Sequence, residues 1–197
     1  MVKIGTIEGI LKIPEGAKGI VLFAHGSGSS RFSPRNNFVA DVLNQAGLAT
    51  LLIDLLSVEE DEIYRTRFNI ELLTQRLTVV VDWIQQNHPL KIGLFGSSTG
   101  AAAALQLASE LDLGAVVSRG GRPDLAMNVL HRVKAPTLFI VGGHDFGVIE
   151  LNQEAFERLT CVKKFEIVPH ATHLFEEPGC LEQVAELAKN WFKKYLE

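Results

Sequence analysis

Three side chains from the middle of the chain onward have the types and order needed for nucleophilic catalysis. Ser98 stands in Gly96-Ser97-Ser98-Thr99-Gly100, which reads G-x-S-x-G. A serine hydroxyl attacks poorly unless a base takes its proton and an acid orients that base. Asp145 and His173 follow in that order, and Ser, then acid, then His is the chain order of one such arrangement. Alternatives stand beside each. His170 shares a loop with His173, and His144 directly precedes Asp145. Asp124 is a second candidate acid, although Arg122-Pro123-Asp124-Leu125 reads more simply as a helix start capped by Asp. Asp112 reads as the end of a helix, and Glu176 and Glu177 as the opening of the last helix.

A second glycine-rich stretch, His25-Gly26-Ser27-Gly28-Ser29-Ser30, supplies what acyl transfer needs next. The negative oxygen of a tetrahedral intermediate is held best by backbone N–H groups already in place. The two donors expected here are the amides of Thr99, which follows the nucleophile, and Ser27, with Gly28 as the alternative to Ser27. His25 is expected to tie the loop down. Gly26-x-Gly28 is only a fragment of a dinucleotide fingerprint, because Arg31 occupies the place of the third glycine. No Gly-Lys-Ser/Thr forms a phosphate loop, and no His/Cys/Asp grouping has metal spacing. No cofactor and no metal are therefore expected. Arg119 and Arg122 flank Gly120-Gly121 and are candidates for binding a carboxylate or phosphate of the substrate. Arg31 and Arg35 are weaker candidates of the same kind. Loop anchoring is the alternative for all four.

These residues must be positioned by regular elements, and two patterns alternate along the chain. Short apolar runs predict buried strands at Gly19–Ala24, Leu48–Ile53, Lys91–Phe95, Gly114–Val117, Thr137–Val141 and Lys164–Val168. Apolar residues at three- and four-residue spacing predict helices at Asn36–Gln45, Tyr64–Gln86, Thr99–Leu111, Asp124–Leu130, Ile149–Leu159 and Glu182–Tyr195. Lys3–Ile13 alternates more openly and predicts an antiparallel edge strand. The expected fold is a single α/β domain over residues 1–197, a three-layer sandwich. Its mostly parallel sheet of about seven strands carries helices on both faces. Chemistry in such sheets collects beyond the C-terminal strand ends. Ser98, Asp145 and His173 each follow a predicted strand. The small residues around Ser98 let a strand turn at once into a helix, which pushes the hydroxyl outward in a strained backbone.

Composition narrows the function classes. The 197 residues carry 19 Lys and Arg against 23 Asp and Glu, a net charge of −4, and 47% are apolar. That is ordinary globular usage, far from disorder. It lacks the basic excess that binding a phosphate backbone requires, so no nucleic-acid partner is expected. No apolar run approaches the roughly 18–20 residues of a membrane span, and no apolar segment precedes a cleavage site. Cys161 and Cys180 read as two reduced thiols. The expectation is a cytoplasmic protein acting on a small-molecule ester, as a monomer or small homo-oligomer.

The sequence resembles the α/β-hydrolase superfamily, and within it the dienelactone-hydrolase-like group. The likeness runs through His25–Ser30 (HGSGSS), Leu51–Leu56 (LLIDLL), Gly96–Gly100 (GSSTG), Ser118–Ala126 (SRGGRPDLA), Val141–Asp145 (VGGHD) and His170–Phe175 (HATHLF). The resemblance implies His173 as the base and Asp145 as its acid. Dienelactone hydrolases use a cysteine nucleophile. Ser98 stands in that place here and favours a serine esterase. Only Ser118–Ala135 separates two predicted strands where relatives insert a helical cap, so an open site is expected. The implied reaction is hydrolysis of a carboxylic ester, lactone or thioester. A non-catalytic relative that binds a small ligand or partner is the alternative, and so is acyl transfer or perhydrolysis by the same triad.

Overall fold

The computed structural model describes all residues, Met1–Glu197. Eight strands form one sheet: β1 (Val2–Ile4), β2 (Ile7–Lys12), β3 (Gly19–Ala24), β4 (Ala49–Ile53), β5 (Lys91–Ser97), β6 (Ala115–Arg119), β7 (Thr137–Gly142) and β8 (Lys163–Val168). Their spatial order is β1-β2-β4-β3-β5-β6-β7-β8. The run from β4 to β8 is parallel, while β2 is antiparallel to β4 and β1 antiparallel to β2. The expected edge strand is thus a hairpin, because the chain reverses at Gly5 with φ 61°. That reversal accounts for eight strands where about seven were expected.

Six helices flank the sheet: α1 (Pro34–Gln45), α2 (Val58–Glu62), α3 (Ile70–Asn87), α4 (Thr99–Ala108), α5 (Phe146–Arg158) and α6 (Cys180–Leu196). Side chains alternate between the two faces of each strand, and β3 to β7 are buried on both. In β3, Ile20, Leu22 and Ala24 face one core with α3, α4 and α5. Val21 and Phe23 face the other, with α1 and α6. α3 buries Leu73, Leu77, Val80, Val81 and Ile84 at helical spacing. α6 wedges its Leu196 side chain against the β3, β5 and β6 ends of the sheet. A Cβ on Gly19 or Gly114 would fall 2.5 Å or 2.4 Å from Leu196 atoms, and one on Gly93 would fall 2.8 Å from Phe192. No helix is long and apolar enough to cross a membrane.

Three predicted helices differ. The expected helix over Tyr64–Gln86 is a 3-10 stretch, Tyr64–Phe68, followed by α3. The break falls at Asn69, whose side chain accepts from the Leu72 N–H and caps the new helix. The expected helix Asp124–Leu130 is two 3-10 turns, Pro123–Ala126 and Leu130–Arg132. The last helix starts at Cys180, after the segment holding Glu176 and Glu177. Those two carboxylates are engaged elsewhere: Glu176 pairs with Arg35, and Glu177 accepts from Thr172. Cys161 and Cys180 are both unpaired.

Candidate active site

The connection from β5 to α4 is a sharp elbow with Ser98 at its apex. Ser98 has φ 50° and ψ −122°, an uncommon conformation for a residue with a side chain. Two glycines make the turn possible by absence of bulk. A Cβ on Gly96 would lie 2.4 Å from the Ala101 Cα, and one on Gly100 would lie 2.2 Å from the Ala24 carbonyl oxygen. The elbow is also laced to the segment after β6. The Ser98 N–H donates to the Arg119 carbonyl at 3.3 Å, and the Arg122 N–H donates to the Ser98 carbonyl at 3.1 Å. Asn152, fully buried in α5, holds the same segment by donating to the Gly121 carbonyl at 2.9 Å.

Asp145 and His173 come together beyond the ends of β7 and β8. The His173 Nδ1 lies 2.6 Å from the Asp145 Oδ2, and the carboxylate is largely buried. An Nδ1–H donating to Asp145 leaves Nε2 free to accept a proton. The competing residues are placed elsewhere. His170, with φ 66°, has its ring 5.7 Å from the His144 ring. Asp124 accepts a two-point fork from Arg122, with both bonds at 2.8 Å.

Ser98 and His173 line one cavity of about 150 Å³. Its wall includes Ser27, Ser29, Ser33, Arg35 and Arg119, and Leu174 is its one apolar residue. A larger cleft of about 740 Å³ lies beside Arg31 and Asp54 and holds none of the three candidate catalytic residues. Thr99 is the first residue of α4, so its N–H has no acceptor inside the helix. The Ser27 N–H likewise has no acceptor in the protein. The helix dipole adds positive potential at the same end.

His25 anchors the first glycine loop as expected. Its Nε2 accepts from the Leu55 N–H at 3.0 Å, so its Nδ1–H faces the Gly26 carbonyl at 2.9 Å. Burial lowers its pKa, which keeps the ring neutral. The arginines divide. Arg31 is taken up by Asp54 and Glu8. The Arg122 fork to Asp124 holds that side chain on its own loop, outside the residues that line the Ser98 cavity. Substrate binding by Arg122 is therefore not what its placement favours. Arg119 and Arg35 both line the cavity. The spacing of Arg35 gave little sign of this, because it reaches the site from α1, an element that follows the glycine loop by way of Ser33-Pro34.

A strand–elbow–helix turn on a mostly parallel eight-stranded sheet is the arrangement of the α/β hydrolases. The chain belongs to the dienelactone hydrolase family, whose model matches residues 7–197. A dienelactone hydrolase from Anabaena variabilis is 58% identical in crystal form, with a TM-score of 0.94, covering 100% of this chain and 96% of that one. Est1E from Butyrivibrio proteoclasticus shares the fold at 16% identity, with a TM-score of 0.82 and coverage of 96% and 94%. Two Mycobacterium tuberculosis proteins, each named "Putative phosphoribosyl transferase", are 54% identical over 195 residues. That alignment takes in 96% of this chain but 44% of those proteins, so the chain spans less than half of their length. The family and the folds together support a hydrolase.

Proposed function

We propose that the chain hydrolyses carboxylic ester bonds of small substrates, lactones and thioesters included, through an acyl-enzyme on Ser98. The observation that carries this reading is the 2.6 Å contact between His173 Nδ1 and Asp145, beside a cavity lined by both His173 and a Ser98 held in strained backbone. His173 takes the Ser98 proton as the hydroxyl oxygen attacks the carbonyl carbon. Asp145 fixes the tautomer and stabilises the imidazolium that forms. The Ser27 and Thr99 amides receive the developing oxyanion. His173 then gives its proton to the leaving alcohol. A water molecule, deprotonated by the same imidazole, releases the acid and restores Ser98.

The uncapped site suits substrates whose remote parts stay in solvent. The test is hydrolysis of p-nitrophenyl acetate and butyrate by the protein beside Ser98→Ala, with mass spectrometry after fluorophosphonate treatment. Turnover lost in the variant, with one adduct on Ser98, is expected. A folded protein with neither turnover nor adduct would overturn the reading and bring forward a ligand-binding role.

A further inference from the structure

Arg119 is the one charged side chain of the cavity that the protein leaves without an ion pair or a hydrogen bond. The residue is 7% exposed. Its guanidinium forms no ion pair and no hydrogen bond, and its nearest aromatic neighbour is Phe175, with the ring centroid 5.7 Å away. The nearby carboxylates are committed: Asp145 to His173, Glu176 to Arg35, and Asp124 to Arg122. Burying a cation without a counterion is costly, so such groups are paired or await a ligand. Here the charge of Arg35 adds to the problem. One Arg35 nitrogen, Nη1, is held by Glu176, while its buried Nε has no partner.

The donors of the cavity outnumber what a carboxylate can use. Arg119 offers five N–H groups, and Arg35 sets a second positive charge in the wall. The hydroxyls of Ser27 and Ser29 make no hydrogen bond within the protein and line the same wall. A carboxylate presents two oxygens and one charge. A phosphoryl group presents three oxygens and close to two charges, and arginine forks match its geometry. A volume of about 150 Å³ holds one phosphoryl group and a few further atoms.

We propose that Arg119, with Arg35 beside it, is the receptor for a phosphoryl group on the substrate, next to the ester bond that Ser98 attacks. For the reaction this deepens the ester-hydrolase reading, although the receptor can be tested without turnover. Burial and the neighbouring Arg35 lower the Arg119 pKa to about 10, which leaves it cationic at neutral pH and electrostatically unsatisfied when the site is empty.

The experiment compares three acetyl esters: 2-acetoxyethyl phosphate, 3-acetoxypropanoate and the neutral 2-acetoxyethanol. Acetate release is followed in the wild type, Arg119→Gln, Arg35→Gln and Arg122→Gln. The wild type is expected to favour the phosphate ester over the neutral one at least tenfold in kcat/KM. That ratio should fall at least tenfold in Arg119→Gln, fall less in Arg35→Gln and persist in Arg122→Gln. Inorganic phosphate should raise the Tm of the wild type and leave that of Arg119→Gln unmoved. Without phosphate, Arg119→Gln should be at least as stable as the wild type, because it removes an unpaired buried charge. A preference led by the carboxylate ester, with no phosphate effect on Tm, overturns the phosphoryl assignment. Loss of all three activities together with a lower Tm overturns it too, because Arg119 is then a structural arginine. If Ser98 takes no fluorophosphonate yet phosphate still stabilises only chains with Arg119, the receptor stands and the ester reaction fails.

Discussion

Substituting Gly100 by alanine tests whether the elbow depends on backbone segments lying closer than any side chain allows. The added Cβ would meet two carbonyl oxygens, of Ala24 at 2.2 Å and His25 at 2.4 Å. Ordinary contact begins near 3.4 Å, so α4 and the end of β3 must part by about 1 Å. Neither clashing atom belongs to a flexible side chain that could swing away. Overpacking of this kind costs about 1–3 kcal/mol, and the upper end applies where both partners are backbone. For a chain of this size each kcal/mol lowers Tm by roughly 2–4 °C, so a fall of about 5–10 °C is expected. The displaced segments carry Ser27 and Thr99, so their amides separate as well. Misplacement by about 1 Å reduces kcat on the order of 10²-fold. Gly147 in α5 is the control, because a Cβ there meets nothing within 4 Å. Gly147→Ala should keep kcat and hold or raise Tm, since alanine favours a helix over glycine by up to about 1 kcal/mol. Thermal unfolding and p-nitrophenyl acetate turnover read both variants. A Gly100→Ala protein with the wild-type Tm and kcat would refute the reasoning.

Three further outcomes follow from the same geometry. Asp145→Asn keeps the size of the side chain but lets His173 take the wrong tautomer, so kcat should fall on the order of 10⁴-fold with Tm little changed; an unaltered kcat would remove Asp145 from the reaction. His25→Ala strands the buried Leu55 N–H and frees the part-buried Gly26 carbonyl, a loss of about 1–3 kcal/mol at the usual cost of one unsatisfied buried group, readable by urea unfolding. His25 also links stability to pH. Its folded pKa is depressed below 6.5, so the unfolded chain binds the proton more readily. Its contribution is full above pH 6.5 and diminishes as pH falls below that. His25→Asn should flatten the decline in Tm between pH 7 and 5, and an equal slope in both proteins would count against a neutral buried ring.

The residues that could be read in advance are those whose role is local. The elbow is legible because Gly96, Ser98 and Gly100 lie within five positions and sit between an apolar run and an alanine-rich helix. Asp145 and His173 are legible because each follows a strand, and strand ends define one face of a parallel sheet. Arg119 against Arg122 was not separable on that basis. Both flank the same glycine pair, and only the backbone between them decides which side chain turns into the cavity and which folds back on Asp124. Arg35 was harder still, since its approach depends on how α1 crosses the sheet. Helix extents were less legible. Tyr64–Gln86 and Asp124–Leu130 have helical apolar spacing, but the Asn69 cap splits the first and the second closes as two 3-10 turns, differences the spacing does not register.

The seat of Leu196 has a consequence for the order in which the molecule is assembled. Gly19, Gly93 and Gly114 leave a trough across three neighbouring strands, and it is filled by side chains from the last turns of α6. The partner of Gly19 is thus separated from it by nearly the whole chain, and such distant contacts form late because a large loop must close first. On the ribosome, β3 and β5 emerge long before the helix that covers Phe23 and Phe95. The part of that face which α6 covers stays open until Leu196 has been made, while α1 is already there to cover the rest.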